Sequence, residues 1–166
     1  MSFRQAIVAE IPRLRRYARA LTGDASRADD LVQDTLERAL GKWRLWRPGN
    51  LRAWLFTLMH NIFVNQLQES VLVISLDGDT HLDVPVRPRQ QDNLELRDLD
   101  RALARLSPEQ REVLLLVGLE ELSYEDTARV IGVPVGTVMS RLARARDKLR
   151  LLLAGDERAL HLKVVK

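Results

Sequence analysis

The sequence contains no cysteine, which excludes disulfide bonds and thiolate metal sites. Aromatic residues make up only 5 % of the 166 positions, whereas leucine, alanine and arginine are frequent, and this composition favours helices over sheets. No apolar run reaches the length of about 18 residues that a membrane-spanning helix needs, and the polar amino terminus is unlike a signal peptide. We therefore expect a cytoplasmic protein without membrane insertion.

Groups that perform catalysis are also sparse. The three histidines, His60, His81 and His161, are far apart in the sequence. There is no glycine-rich phosphate-binding loop and no Ser/His/Asp pattern in a recognisable context. We expect no catalytic residue, no metal site and no cofactor, so an enzyme ranks far behind a binding protein.

The charges are segregated along the chain, although the net charge is only +3. Residues 129–150 carry six cations against one acid, and residues 92–128 carry ten acids against four arginines. Neighbouring blocks of opposite sign suggest two partners, one of them an anion such as DNA. Taken alone, the blocks are better explained as solvated helix faces.

Helical periodicity predicts an all-α chain with two small domains. The first domain, 1–68, contains a helix from about Phe3 to Leu21 that Pro12 kinks or divides. It also contains a helix that begins at Arg27 after a Ser26 cap, and a third from Leu51 to about Leu67 capped by Asn50. The remaining segments are a flexible linker at 69–92 with possible extended structure at 71–76, a second domain at 93–154, and a tail at 155–166.

The strongest local signal is a helix-turn-helix at 122–150. Ser123 begins a helix, Gly132 is placed for a left-handed turn, and Pro134 opens a second helix. The second helix has an apolar seam, and its outer face is small and edged with arginines, which suits the major groove of DNA. An ordinary basic surface helix is the alternative, and cap, turn, seam and outer face together disfavour it.

The same stretch, LSYEDTARVIGVPVGTVMSRLARARDKLR, resembles region 4 of extracytoplasmic-function sigma factors of bacterial RNA polymerase. SRADDLVQDTLERAL and NLRAWLFTLMHNIFVNQL resemble regions 2.1–2.2 and 2.3–2.4 of those factors. With SPEQREVLLLVGLEELS, the resemblance covers nearly the whole chain apart from linker and tail. It implies an initiation factor that binds core RNA polymerase and promoter DNA and is controlled by an anti-sigma factor.

The resemblance also implies three sets of site residues. The minus-thirty-five element would be read from 134–150 by Thr137, Met139, Ser140, Arg141, Ala143, Arg144 and Arg146. The melted minus-ten element would be captured by Trp43, Arg44, Trp46, Asn50, Arg52, His60 and Asn61. Core polymerase would be bound by Asp30, Gln33, Asp34 and Glu37, which a helical wheel also places opposite the apolar stripe. The linker acids Asp77, Asp79 and Asp83 would suit a positively charged polymerase channel.

Two further interpretations remain beside the initiation factor. A self-standing helix-turn-helix regulator would bind duplex promoter DNA by itself, whereas an initiation factor binds specifically mainly together with polymerase. A protein that only imitates a sigma factor to sequester a regulator would lack the basic recognition helix.

Overall fold

The computed structural model describes the backbone of residues 1–77 and 94–164 and the side chains of 1–73 and 97–155. All regular structure in those ranges is helical, which confirms the predicted all-α class. The helices are α1 (Phe3–Thr22), α2 (Ala25–Gly41), α3 (Leu51–Asp77), α4 (Leu94–Ala104), α5 (Pro108–Gly118), α6 (Tyr124–Ile131) and α7 (Val135–Val164), with one 3-10 turn at Trp43–Leu45. The chain divides into an N-terminal unit built on α1 to α3 and a C-terminal unit built on α4, α5, α7 and the first part of α6.

The N-terminal unit is a bundle in which α2 packs against both α1 and α3. Its core includes Leu14, Leu31 and Met59, all fully buried. Tyr17 of α1 meets Phe56 of α3 edge to face, with ring centroids 4.8 Å apart. Because α2 is buried along one stripe only, its opposite side faces solvent and is available to a partner.

The junction between α1 and α2 differs from the predicted one. Gly23 ends α1 in the left-handed conformation, with φ 69°, and this turn leaves Asp24 in extended geometry. The Asp24 carboxylate then accepts a hydrogen bond from the backbone N–H of Ser26 at 3.1 Å. The predicted Ser26 cap is therefore wrong by two residues. Pro12 lies inside α1, which continues on both sides of it.

The third helix is longer than predicted. The expected extended structure at 71–76 is wrong, because α3 continues through it to Asp77. A helix already started at Leu51 gains one hydrogen bond for each residue added, whereas a short apolar run has no strand to pair with there. Of the three linker acids, Asp77 is the last residue of α3, and Asp79 and Asp83 lie outside the described residues.

In the C-terminal unit, α4 and α5 pack against α7. The start of α5 is a capping box, in which Ser107 and Gln110 exchange both hydrogen bonds. Arg111 then reaches back to the end of α4 and donates to the carbonyl oxygens of Leu103, Ala104 and Leu106 at 2.8 to 3.1 Å. Burial lowers the pKa of Arg111 below its ordinary value. These bonds tie the start of α5 to the end of α4, and both helices pack against α7.

Candidate functional site

The turn between α6 and α7 has the geometry of a helix-turn-helix. The backbone N–H of Asp126 donates to the Ser123 hydroxyl at 3.0 Å, which confirms the predicted cap of α6. Gly132 adopts φ 71°, the predicted left-handed conformation, and the N–H of Val133 then bonds the carbonyl of Ala128 at 3.1 Å. Pro134 offers its carbonyl to the first turn of α7. The turn therefore ends α6 and begins α7 as a separate helix.

The two faces of α7 are as different as the sequence predicts. Val138, Leu142 and Ala145 are buried and form the seam. Ser140, Ala143 and Arg144 lie opposite and are exposed. Small side chains beside an arginine let a helix backbone approach a groove closely while the guanidinium reaches further in.

The cations along α7 are not equivalent. Arg141 is half-buried, with Nη2 3.9 Å from Oε2 of Glu109 on α5, so part of its charge is already balanced. Arg144 and Arg146 are exposed and form no ion pair within the described part of the chain. They are therefore the better-placed cations for an external anion.

The remaining predicted positions on α7 are uncharged. Thr137 is half-buried, and its carbonyl oxygen accepts a hydrogen bond from the Ser140 hydroxyl at 3.1 Å. Met139 is 52 % exposed, so its thioether is accessible to a partner. All seven predicted residues lie on one helix, and Met139, Arg144 and Arg146 are exposed among them.

A polar face lies on α2, opposite its buried stripe. Asp30, Gln33, Asp34 and Glu37 are all exposed and follow one another at helical spacing. The Gln33 amide donates to a Glu37 carboxylate oxygen at 3.2 Å, so these two side chains are already linked. The predicted polymerase-binding residues therefore form one continuous surface, called here the α2 carboxylate face.

The loop of residues 42–50 joins α2 to α3 and holds two of the three tryptophans. Trp43 is 51 % exposed, and the Arg44 guanidinium lies 5.4 Å from the centroid of its ring. Trp46 is half-buried and packs against Phe3 at 5.3 Å. One tryptophan of the predicted pair is thus presented to solvent and the other is held by α1.

The other predicted minus-ten residues divide in the same way. Asn50 caps α3 by accepting from the N–H of Ala53 at 3.1 Å, as predicted. Arg52 lies against α1, where its Nε donates to Oε2 of Glu10 at 3.0 Å. His60 is half-buried and Asn61 is exposed, further along α3.

Sequence reasoning did not find Phe3 or Glu10, the α1 residues that touch this loop and the start of α3. The spacing between Glu10 and Arg52 is 42 residues, and no local pattern predicts a contact over that distance. Within the described ranges, no helix is both long and apolar enough to cross a membrane. The same residues contain no cluster of three or more His, Asp or Glu side chains arranged for a metal ion.

Comparison with known proteins gives matches over both units. Residues 7–60 match the family model of the Sigma2 domain of PhyR, and residues 96–149 match that of sigma-70 region 4. The ECF RNA polymerase sigma factor EcfG of Rhodopseudomonas palustris is 44 % identical over 157 residues, covering 93 % of this chain and 87 % of that protein.

Two solved structures are similar over most of the chain. One is the sigma factor RpoE of Bartonella quintana, solved with the anti-sigma factor NepR. It has a TM-score of 0.82 and 39 % identity, over 92 % of this chain and 96 % of that one. The other is a chain of the PhyRSL–NepR complex from Sphingomonas sp. Fr1, with a TM-score of 0.66 and 29 % identity over 92 % and 90 % of the two chains.

Proposed function

The chain belongs to the extracytoplasmic-function family of RNA polymerase sigma factors, and on that premise we propose that its two helical units divide promoter recognition between them. As an alternative sigma factor it binds core RNA polymerase and directs it to specific promoters. The C-terminal unit reads the upstream, minus-thirty-five element in duplex form. The N-terminal unit binds polymerase through one surface and captures the melted minus-ten element through another, in the cytoplasm where polymerase works.

The observation that carries this proposal is the exposed outer face of α7. A helix that packed on protein would place large apolar residues there, whereas Ser140, Ala143 and Arg144 leave a narrow, cation-bearing surface. Arg144 lies near the middle of that surface and reads a base edge, since arginine is the side chain most often paired with guanine in the major groove. Arg146 lies on the flank and contacts phosphate.

Met139 gives the upstream site its sequence preference beside Arg144. A thioether donates no hydrogen bond, so this side chain contacts an apolar feature of the groove, such as the methyl group of thymine. Its 52 % exposure supports this role. Thr137, Ser140, Arg141 and Ala143 complete the surface.

The α2 carboxylate face binds core polymerase. Asp30 and Asp34 are one turn apart and exposed, so both can accept charge-assisted hydrogen bonds from basic groups of one partner. The hydrogen bond from Gln33 to Glu37 restricts both side chains, which lowers the entropy lost when the face is covered.

The minus-ten element is captured by the loop of residues 42–50 and the exposed side of α3. An unstacked base can lie on the exposed ring of Trp43, and Arg44 beside it supplies a cation for the strand. Asn50, Arg52, His60 and Asn61 are further candidates along α3. Among them, Asn61 is exposed and His60 half-buried.

We also propose that an anti-sigma factor controls this protein. The similar Bartonella quintana factor was solved together with the anti-sigma factor NepR. A partner of this kind would cover the polymerase-binding or DNA-binding surfaces and keep the factor inactive.

A second candidate function is imitation of a sigma factor. It is favoured by the match of residues 7–60 to the Sigma2 domain of PhyR. A protein that acted only by sequestering an anti-sigma factor would have no need of unpaired cations on α7. The exposed Arg144 and Arg146 therefore favour the initiation factor.

Run-off transcription tests the proposal directly. Purified protein and core polymerase are incubated with a library of promoter fragments, and core polymerase alone is the control. We expect specific transcripts only when both components are present, and weak binding of the free protein to the same duplex DNA. Specific duplex binding by the free protein would instead identify a self-standing regulator, and absence of polymerase binding would favour the imitator.

A further inference from the structure

The loop that carries Trp43 and Arg44 is held in place from the amino-terminal helix. From its contacts we infer that Phe3 and Glu10 are positioning residues for capture of the minus-ten strand, although neither is expected to touch DNA. Phe3 holds Trp46, and Glu10 holds Arg52. This inference rests on the proposed function of the loop and deepens it.

Phe3 forms the aromatic half of this contact. It is the first residue of α1, and its ring centroid lies 5.3 Å from Trp46 in the loop and 6.2 Å from Trp54 in α3. Ser2 and Gln5 form a capping box that fixes the helix start, so the backbone from which the Phe3 ring extends is held in place. The ring therefore bridges the middle of the loop and the helix that follows it.

Glu10 forms the ionic half, two turns further along α1. The Arg52 guanidinium donates to both Glu10 carboxylate oxygens, at 3.0 and 3.4 Å. Both side chains are partly buried, with 17 % of Glu10 and 33 % of Arg52 exposed, so solvent screens the pair less than it would a surface pair. An arginine paired in this way fixes the start of α3 and has less freedom to reach a DNA phosphate.

The two contacts act on a segment that is also fixed at its ends. The N–H of Lys42 bonds the last turn of α2, and Asn50 caps α3. Between these ends, Trp46 is the loop residue whose ring is attached to α1, while Trp43 three residues earlier remains exposed. Holding Trp46 therefore sets the direction in which Trp43 and Arg44 are presented. A loop already ordered before binding loses less entropy when a strand is captured.

The aromatic contact is tested with Phe3→Ala, with Phe3→Tyr as the variant that keeps a ring and Val8→Ala as the control. Val8 is on the same helix but 61 % exposed. Each protein is assembled with core polymerase, and the promoter sequence comes from the run-off selection. Two fluorescein-labelled probes are used: a fork-junction DNA with a single-stranded minus-ten non-template strand, and a duplex with the upstream element only.

We expect Phe3→Ala to weaken fork-junction binding about three- to tenfold, the loss of one aromatic contact. Upstream-duplex binding should be unchanged, and Phe3→Tyr and Val8→Ala should bind as the unsubstituted protein does. An equal loss on both probes, or none on the fork junction, would overturn the inference. If the unsubstituted holoenzyme bound neither probe, the proposed function itself would fail, which is a different result.

The three tryptophans, all at 43–54, give a second readout in the free protein. Removing the Phe3 ring should shift their fluorescence emission to longer wavelength, because the rings of Trp46 and Trp54 then become more exposed to water. Emission identical to that of Val8→Ala would contradict a contact between Phe3 and these rings.

The ionic contact is tested by charge exchange. Glu10→Arg alone places two cations together and should weaken fork-junction binding. The double variant Glu10→Arg with Arg52→Glu restores an ion pair in reverse, so binding should recover if Arg52 positions the loop. Failure to recover, in a double variant with unchanged thermal stability, would assign Arg52 to direct DNA contact and overturn the role of Glu10.

Discussion

Arg144 and Arg146 offer a test of how α7 divides base readout from phosphate contact. Both are exposed, lie two residues apart and lack an intramolecular ion pair in the part of the chain the structure describes. Replacing either by alanine should therefore leave folding unchanged, and any loss of affinity belongs to DNA. Their side chains leave different sides of α7, because Arg144 lies one turn after Ser140 on the outer face and Arg146 lies on the flank.

A bidentate contact between arginine and a base contributes about 1–3 kcal/mol of discrimination, which is roughly 5- to 150-fold in affinity. For Arg144→Ala we expect a loss of that size on the selected upstream element and a much smaller loss on a scrambled duplex. For Arg146→Ala we expect equal losses on both duplexes, with the slope of log K against log salt reduced by about 0.9.

Both are measured as holoenzyme binding to labelled duplexes over a series of salt concentrations, with thermal unfolding as the folding control. Equal losses on both duplexes for Arg144→Ala would refute the assignment of base readout to this residue. It would mean that the outer face of α7 contacts backbone alone and that specificity arises elsewhere, Met139 being the next residue to test.

Three other predictions concern the polymerase surface and the fold. Asp34→Asn should weaken core polymerase binding, whereas the control Asp29→Asn, at the side of the same helix, should not. Both affinities are measured by surface plasmon resonance with immobilised core polymerase, and equal affinities would remove Asp34 from the site. Leu142→Ala should lower the free energy of unfolding by about 2–5 kcal/mol in urea titration, because the side chain is only 2 % exposed, and a loss under 1 kcal/mol would contradict its place in the seam. Gly132→Ala should cost about 1–2 kcal/mol in the same assay, because φ is 71° and the added methyl group meets no atom within 4 Å, so backbone strain acts alone.

The sequence predicts those parts of the fold that depend on neighbouring residues. The caps at Asn50 and Ser123 and the left-handed Gly132 are confirmed, because each satisfies backbone groups within four residues of itself. The predicted start of α2 is wrong, since Ser26 and Asp24 are both good caps and only the geometry after Gly23 decides between them. The predicted end of α3 is wrong because the run of residues 71–76, apolar except for Ser75, fits a strand and a helix equally well.

For the candidate site, the sequence predicts which residues share a face but not what holds them. The α2 carboxylate face and the outer face of α7 follow from helical periodicity alone. The attachment of the minus-ten loop to Phe3 and Glu10 does not, since it joins residues about 42 positions apart by tertiary packing. The sequence therefore predicts Trp43 and Arg44 as binding residues, and only the structure suggests how they are oriented.

The cations of the recognition helix also suggest that one unit alone would bind DNA weakly. Arg141 is close to Glu109, and Arg150 pairs with Asp147 at 3.1 Å, so both share their charge with a carboxylate. Since each phosphate neutralised by a cation adds to the affinity, we expect only modest binding to duplex DNA from a helix whose unpaired cations, among its described side chains, are Arg144, Arg146 and Lys148. Tight and selective binding then requires a second attachment that raises the effective concentration of the helix at its element. We expect polymerase bound to the α2 carboxylate face to provide that attachment, so that low intrinsic affinity would make promoter binding conditional on polymerase.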